Sequence, residues 1–186
     1  MVYKRKFVMK IIIVILLITS SWQTFAQKSE YPTPPRTNKL LFYIQRNHNA
    51  NTIIYDANFD SNGNLLENEP IKVYWIRYEE HGQKMELRKI EKWYAYGVSC
   101  EKEKENTFSV KLAADKNKNF KLVQTEKFKA YISTKINGEN SILKHMYIFA
   151  EETEFWPKVK YIEFFGKSIP DAKPNYQKIF IEQDGI

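Results

Sequence analysis

The chain has 186 residues, of which 43% are hydrophobic, 15% aromatic and 27% charged, with one cysteine and a formal net charge of +7. That length suits a single domain with a sizeable core, and one cysteine excludes an intramolecular disulfide framework. Lysines and glutamates alternate along the chain without a concentrated basic face, which argues against a nucleic-acid partner.

Residues 1–26 read as a cleavable signal peptide. Lys4, Arg5, Lys6 and Lys10 give a positive start, Ile11 to Ile18 is wholly apolar, and the polar stretch from Thr19 ends on the small Ala26. A membrane-spanning helix needs about 20 apolar residues, so no stable span is expected once this shorter run is removed. Thr24, two positions before Ala26, makes the cleavage pattern loose, and no cysteine follows the apolar core to take a lipid. The expected location is the periplasm or the cell exterior. Loss of the leader takes away four basic and no acidic residues, lowering the net charge from +7 to +3.

Residues 27–39 carry Pro32, Pro34 and Pro35 and read as an extended linker. One domain is expected over residues 40–186. It opens with two strand-like runs, LLFYIQR from Leu40 and TIIYDANF from Thr52, joined by a polar loop over Asn47 to Asn51. DSNGN, Asp60 to Asn64, reads as a turn. Its glycine stands fourth instead of sixth, so the calcium-loop ligand order fails. In IKVYWIRY, after Pro70, Val73, Trp75 and Arg77 share one face of a strand, and both faces are apolar enough to be covered.

A helix is expected from about Lys84 to Ala95, with Leu87, Ile90 and Tyr94 on its apolar stripe, Met85 and Trp93 beside it, and Gly97 as its cap. Its polar face mixes Glu86, Arg88, Lys89, Glu91 and Lys92, so it is expected to pack on the sheet rather than lie on a membrane. Strands then follow from Val98: FSVKLAA from Phe108, FKLVQ from Phe120, FKAYISTKI from Phe128, Ile142 to Ala150, VKYIEFFG from Val159 and KIFIEQ from Lys178. Asn137-Gly138 supplies a two-residue hairpin turn. Glu101 to Glu105 and Lys116 to Lys121 read as solvated surface and turns. The expected fold is mainly β, a single-domain antiparallel β-barrel or curved β-sandwich of about eight strands with one packed α-helix.

LFYIQRNHNANTIIYD, YWIRY at Tyr74 to Tyr78, WYAYG at Trp93 to Gly97, KING at Lys135 to Gly138 and WPKVKYIEFFG at Trp156 to Gly166 together resemble the DUF4833 family of envelope domains. The resemblance covers most of Leu40 to Phe180. It implies a secreted single domain of a kind typical of Bacteroidetes, and no activity; Arg46, Asn47 and Asn51 match its signature segment.

His48, His81 and His145 lack the short spacings that put two imidazoles on one face, so no metal site and no cofactor is expected. No catalytic motif is present. Cys100 is expected to be buried and inert. Arg77 lies on the face of Trp75, and Glu163 on that of Tyr161 and Phe165. Each must be paired if buried, either with one another or, for the arginine, with a ligand carboxylate or phosphate. The candidate ligand-binding residues are therefore Arg46, Asn47, Asn51, Trp75, Arg77 and Glu163. The function this suggests is an exported module that holds a small ligand in a β-barrel cavity. An accessory protein docking on an envelope complex and a periplasmic enzyme are the alternatives. The mature protein is expected to begin at or near Gln27, and the intact mass of the exported product checks this; a species that keeps residues 1–26 contradicts it.

Overall fold

The computed structural model describes residues 31–153, 157–169 and 171–181, so the leader lies outside the described residues. Among those described, the chain forms eleven strands: β1 Leu40–Arg46, β2 Asn49–Ala57, β3 Ile71–Arg77, β4 Gln83–Glu86, β5 Val98–Lys104, β6 Thr107–Leu112, β7 Asp115–Glu126, β8 Lys129–Ile136, β9 Glu139–Glu151, β10 Lys158–Ser168 and β11 Pro174–Phe180. They make one curled sheet in the order β4-β3-β2-β1-β9-β8-β7-β6-β5, with β10 on the other edge of β9 and β11 beyond it. The curl is a half-barrel; β4, β5 and β11 keep free edges within the sheet.

The mainly β reading holds, but the strand number exceeds the expected eight. β4 is one of the additions, and it comes from the segment that periodicity assigns to a helix. Gln83–Glu86 instead pairs with β3, Trp75 opposite Met85 and Arg77 opposite Gln83. Hydrogen bonding to an exposed sheet edge outweighs the weak helix preference of a stretch this short. Of the expected helix only Lys89–Glu91 is α-helical, and a π-turn over Lys92–Tyr96 follows. Gly97 is no left-handed cap, since its φ is −65°. It is glycine because the Lys92 carbonyl oxygen lies 1.9 Å from where a Cβ would stand.

Two other expectations also change. Lys116 to Lys121 lies within β7 rather than turning, with Phe120 and Lys121 paired to β6 and Lys121 to β8. The polar loop shrinks to Asn47-His48, because Arg46 pairs with Asn49 and the next residues join β2. The hairpin at Asn137-Gly138 forms as read, with φ of 49° and 81° and Ile136 opposite Glu139.

β9 organises the sheet. Glu139 to Ile142 pairs with β8, whereas His145 to Ile148 pairs with β1 along the same edge, and β10 runs along the opposite edge throughout. The β1–β9 pairing is parallel, a departure from the all-antiparallel expectation. Strand alternation then aims Phe42, Ile44, Ile53, Tyr55 and Trp75 into the curl from one wall. Val110, Phe120, Leu122, Ile132 and Ile136 enter from the other, with Met146 and Phe164 between, and all are buried in one cluster. The interior is filled by these side chains. Pro34 is buried and the Pro32 carbonyl accepts the Gln45 amide at 3.0 Å, so this stretch lies along β1.

Replacing Gly138 by Val should destabilise the domain by about 1 kcal/mol or more, because positive φ resists a β-branched side chain. Beyond its two chain neighbours no residue comes within 4 Å of the added Cβ, so the effect is one of local backbone alone. A melting temperature equal to that of the wild type contradicts it.

Candidate functional site

β1 ends at Arg46, β2 begins at Asn49 and β3 ends at Arg77, so antiparallel pairing brings these termini to one rim of the sheet. Arg46 follows Ile44 and Arg77 follows Trp75 by two residues, which puts both arginines on the face that carries the core. The returning segment Arg88 to Tyr96 crosses that rim. Together Arg46, Asn49, Asn51, Trp75, Arg77, Arg88, Glu91 and Tyr96 line a half-open cup of about 380 Å³.

The Arg46 guanidinium lies 5.1 Å from the Trp75 ring centroid and 5.6 Å from that of Tyr96, and its Nη1 donates to the Tyr96 hydroxyl at 2.8 Å. Cation–π contact suits a partly desolvated guanidinium. Trp75 and Tyr96 meet edge to face at 5.4 Å, and the Tyr55 hydroxyl donates to the Tyr96 carbonyl at 2.9 Å. Tyr96 is thus held by the core on one side and by arginine on the other. Burial raises its phenol pKa, only partly offset by Arg46, so it stays neutral at physiological pH.

Glu91 ties the crossing segment to the wall. It accepts from the Arg88 backbone amide at 2.8 Å, the Arg88 Nε at 3.0 Å and Nη2 at 2.8 Å, and the Trp75 indole at 3.3 Å. Burial alone would raise this carboxyl, but the bonds from Arg88 and Trp75 prevail and hold it below the ordinary carboxylate range. Arg77 pairs through Nη2 with Glu80, and Nη1 lies 3.6 Å from the Met85 sulfur. The Nε atoms of both Arg46 and Arg77 are buried with no hydrogen-bond partner.

Of the six residues singled out in the sequence, Arg46, Asn51, Trp75 and Arg77 therefore meet in the cup. Asn51 is buried there, and its Oδ1 accepts the Glu79 amide at 3.3 Å. Asn47 turns away: its side chain bonds both the carbonyl and the amide of Ala150, at 2.8 and 2.9 Å, joining the turn to β9. Glu163 lies on the outer face of β10, where it accepts from the Tyr176 hydroxyl at 2.8 Å and faces Lys178 at 3.6 Å. No Arg77–Glu163 pair forms.

Arg88, Glu91 and Tyr96 escape the sequence reading, whereas Asn49 falls in the polar segment Asn47 to Asn51 that it marked. A helical assignment put Arg88 and Glu91 on a solvated face, and nothing local signals that they cross a strand end. Trp75 held the clue, since a buried indole N–H needs an acceptor.

Elsewhere the reactive side chains are subdued. Burial pushes the Cys100 thiol up to about 11, so it is not a thiolate at neutral pH. His48 contacts Glu152 at 3.2 Å, and among the described residues no group of three His, Cys, Asp or Glu could hold a metal ion. On the outer face, His145 is stacked between Tyr43 at 4.5 Å and Phe165 at 5.0 Å, and its Nε2 is buried without a partner.

A family model described as a domain of unknown function, DUF4833, matches residues 42–178, a span that includes every residue of the cup. No curated protein and no solved structure matches the chain.

Burial lowers the His145 pKa from 6.5 to about 4. The neutral ring is the folded form, so its contribution is complete above pH 6.5 and is lost as the pH falls toward 4. The melting temperature should drop across that interval, and His145→Phe, which keeps the stack, should remove that part of the drop. An unchanged pH profile in the variant contradicts it.

Proposed function

The chain belongs to the DUF4833 family, whose description assigns no chemistry, and we propose from the geometry that it is a binding module whose rim cup takes the anionic group of a small ligand. One observation carries this reading. Three guanidiniums line a single cavity of about 380 Å³, within the range of small-molecule sites, and two of them keep a buried N–H with no acceptor. An unpaired buried donor is costly, and a carboxylate or phosphate oxygen entering the cup supplies what it lacks. The planar guanidinium fork suits those two groups.

The aromatic walls add an apolar surface for the remainder of such a ligand. Glu91 is engaged by Arg88 and Trp75, which leaves Arg46 and Arg77 as the donors for an incoming anion. The lining residues include no Ser, Thr, Cys or His beside the arginines, and the groups that could act as base, Glu91 and Tyr96, are engaged by Arg88, Trp75 and Arg46, which supports binding over catalysis. The ligand would sit at the rim, since core side chains fill the curl. The setting proposed is outside the cytoplasm, on the leader-like pattern of residues 4–26.

Native mass spectrometry of the protein as purified from the cells that make it should reveal a bound anionic species. Titration with inorganic phosphate and with short dicarboxylates should show binding that Arg77→Ala weakens about tenfold or more, as the loss of a charge-assisted hydrogen bond implies. The melting temperature should hardly move, because the Arg77–Glu80 pair is partly exposed and the substitution also removes a buried Nε that has no partner. Wild-type protein that binds neither class of anion overturns the proposal.

A further inference from the structure

The segment that closes the cup has a second side. Arg88, Glu91 and Tyr96 face inward, but Ile90, Trp93 and Tyr94 are 55%, 75% and 65% exposed, and Trp93 and Tyr94 lie against each other at 4.9 Å. Lys84, Lys89 and Lys92 are exposed among these apolar groups, and Arg88 is largely so. From Lys84 to Tyr96 four cations stand against two carboxylates, Glu86 and Glu91, and Glu91 is bound to Arg88.

Large exposed apolar side chains on a lysine-rich segment carry a cost in water that some surface must repay. A stable protein interface buries about 1,600 Å² in total, more than a tip of a few side chains supplies. Indole and phenol rings prefer the boundary between lipid and water. Adjacent cations are drawn to anionic headgroups. We infer that Ile90, Trp93 and Tyr94 seat this protein on an anionic lipid surface, where the cup receives the phosphate of one headgroup. This rests on the reading of the cup as an anion site and names the source of that anion. No helix among the described residues is long and apolar enough to cross a membrane.

The test is cosedimentation of the protein, as purified from the cells that make it, with vesicles of phosphatidylcholine alone or mixed with phosphatidylglycerol. Glycerol phosphate in solution serves as the detached headgroup. The wild type should bind the mixed vesicles and bind pure phosphatidylcholine far less. Trp93→Ser combined with Tyr94→Ser should weaken vesicle binding about tenfold or more while leaving glycerol phosphate affinity unchanged, since neither ring lines the cup. Arg77→Ala should weaken both. If the double variant sediments as the wild type does, or if mixed vesicles leave the wild type in solution, the lipid inference falls, and glycerol phosphate binding still upholds the cup. If glycerol phosphate does not bind and Arg77→Ala sediments like the wild type, the cup reading falls and takes the headgroup with it.

Discussion

The sheet depends on one strand that serves three neighbours. β9 gives one edge wholly to β10 and divides the other, first to β8 and then to β1. Backbone amides and carbonyls in a core must be paired, so a strand of 13 residues facing shorter partners can satisfy its edge only by taking two in succession. That division folds the β1–β4 wall toward the β5–β8 wall and creates the curl. It also brings Arg46, the last residue of β1, opposite Ile148.

The cup follows from where strands end. Inside the curl, inward positions are filled with Phe42, Tyr55, Phe120 and Phe164, all fully buried. At the rim the same alternation continues past the core, and its next inward residues are Arg46 and Arg77. A guanidinium placed there is desolvated on one side and open on the other. The structure meets this with aromatic faces and the Tyr96 hydroxyl for Arg46, and with Glu80 for Arg77. Each solution leaves Nε unpaired. Such an arrangement is poor as a structural ion pair and apt for recognition of oxygen anions.

The crossing segment couples the cup to the exterior. Leu87 is buried and Tyr96 is held by the core, so the chain between them is fixed at both ends while its middle projects. Gly97 lets the backbone pass close under the Lys92 carbonyl, and Glu91 secures the turn against Trp75. Inner charge and outer apolar surface are therefore presented by the same few residues.

Much of this was legible in the sequence, for a local reason. An apolar run of strand formers identified β1, alternation of period two identified β8 and put Trp75 with Arg77 on one covered face of β3, and Asn-Gly marked the turn at Asn137-Gly138, because these properties reside in neighbouring residues. Arg46 and Asn51 could be singled out from the apolar strands around them. Their meeting with Arg77 could not, since strand pairing is a relation between distant segments. The stretch from Lys84 shows the limit most clearly: its apolar spacing fits a helix, yet the free edge of β3 takes Gln83–Glu86 as a strand and turns Ile90, Trp93 and Tyr94 outward. Sequence by itself determined which residues alternate and that the chain turns at Asn137-Gly138. Tertiary structure alone decided which strand ends share a rim and which face of the crossing segment meets water, because backbone pairing across the sheet outweighs local periodicity.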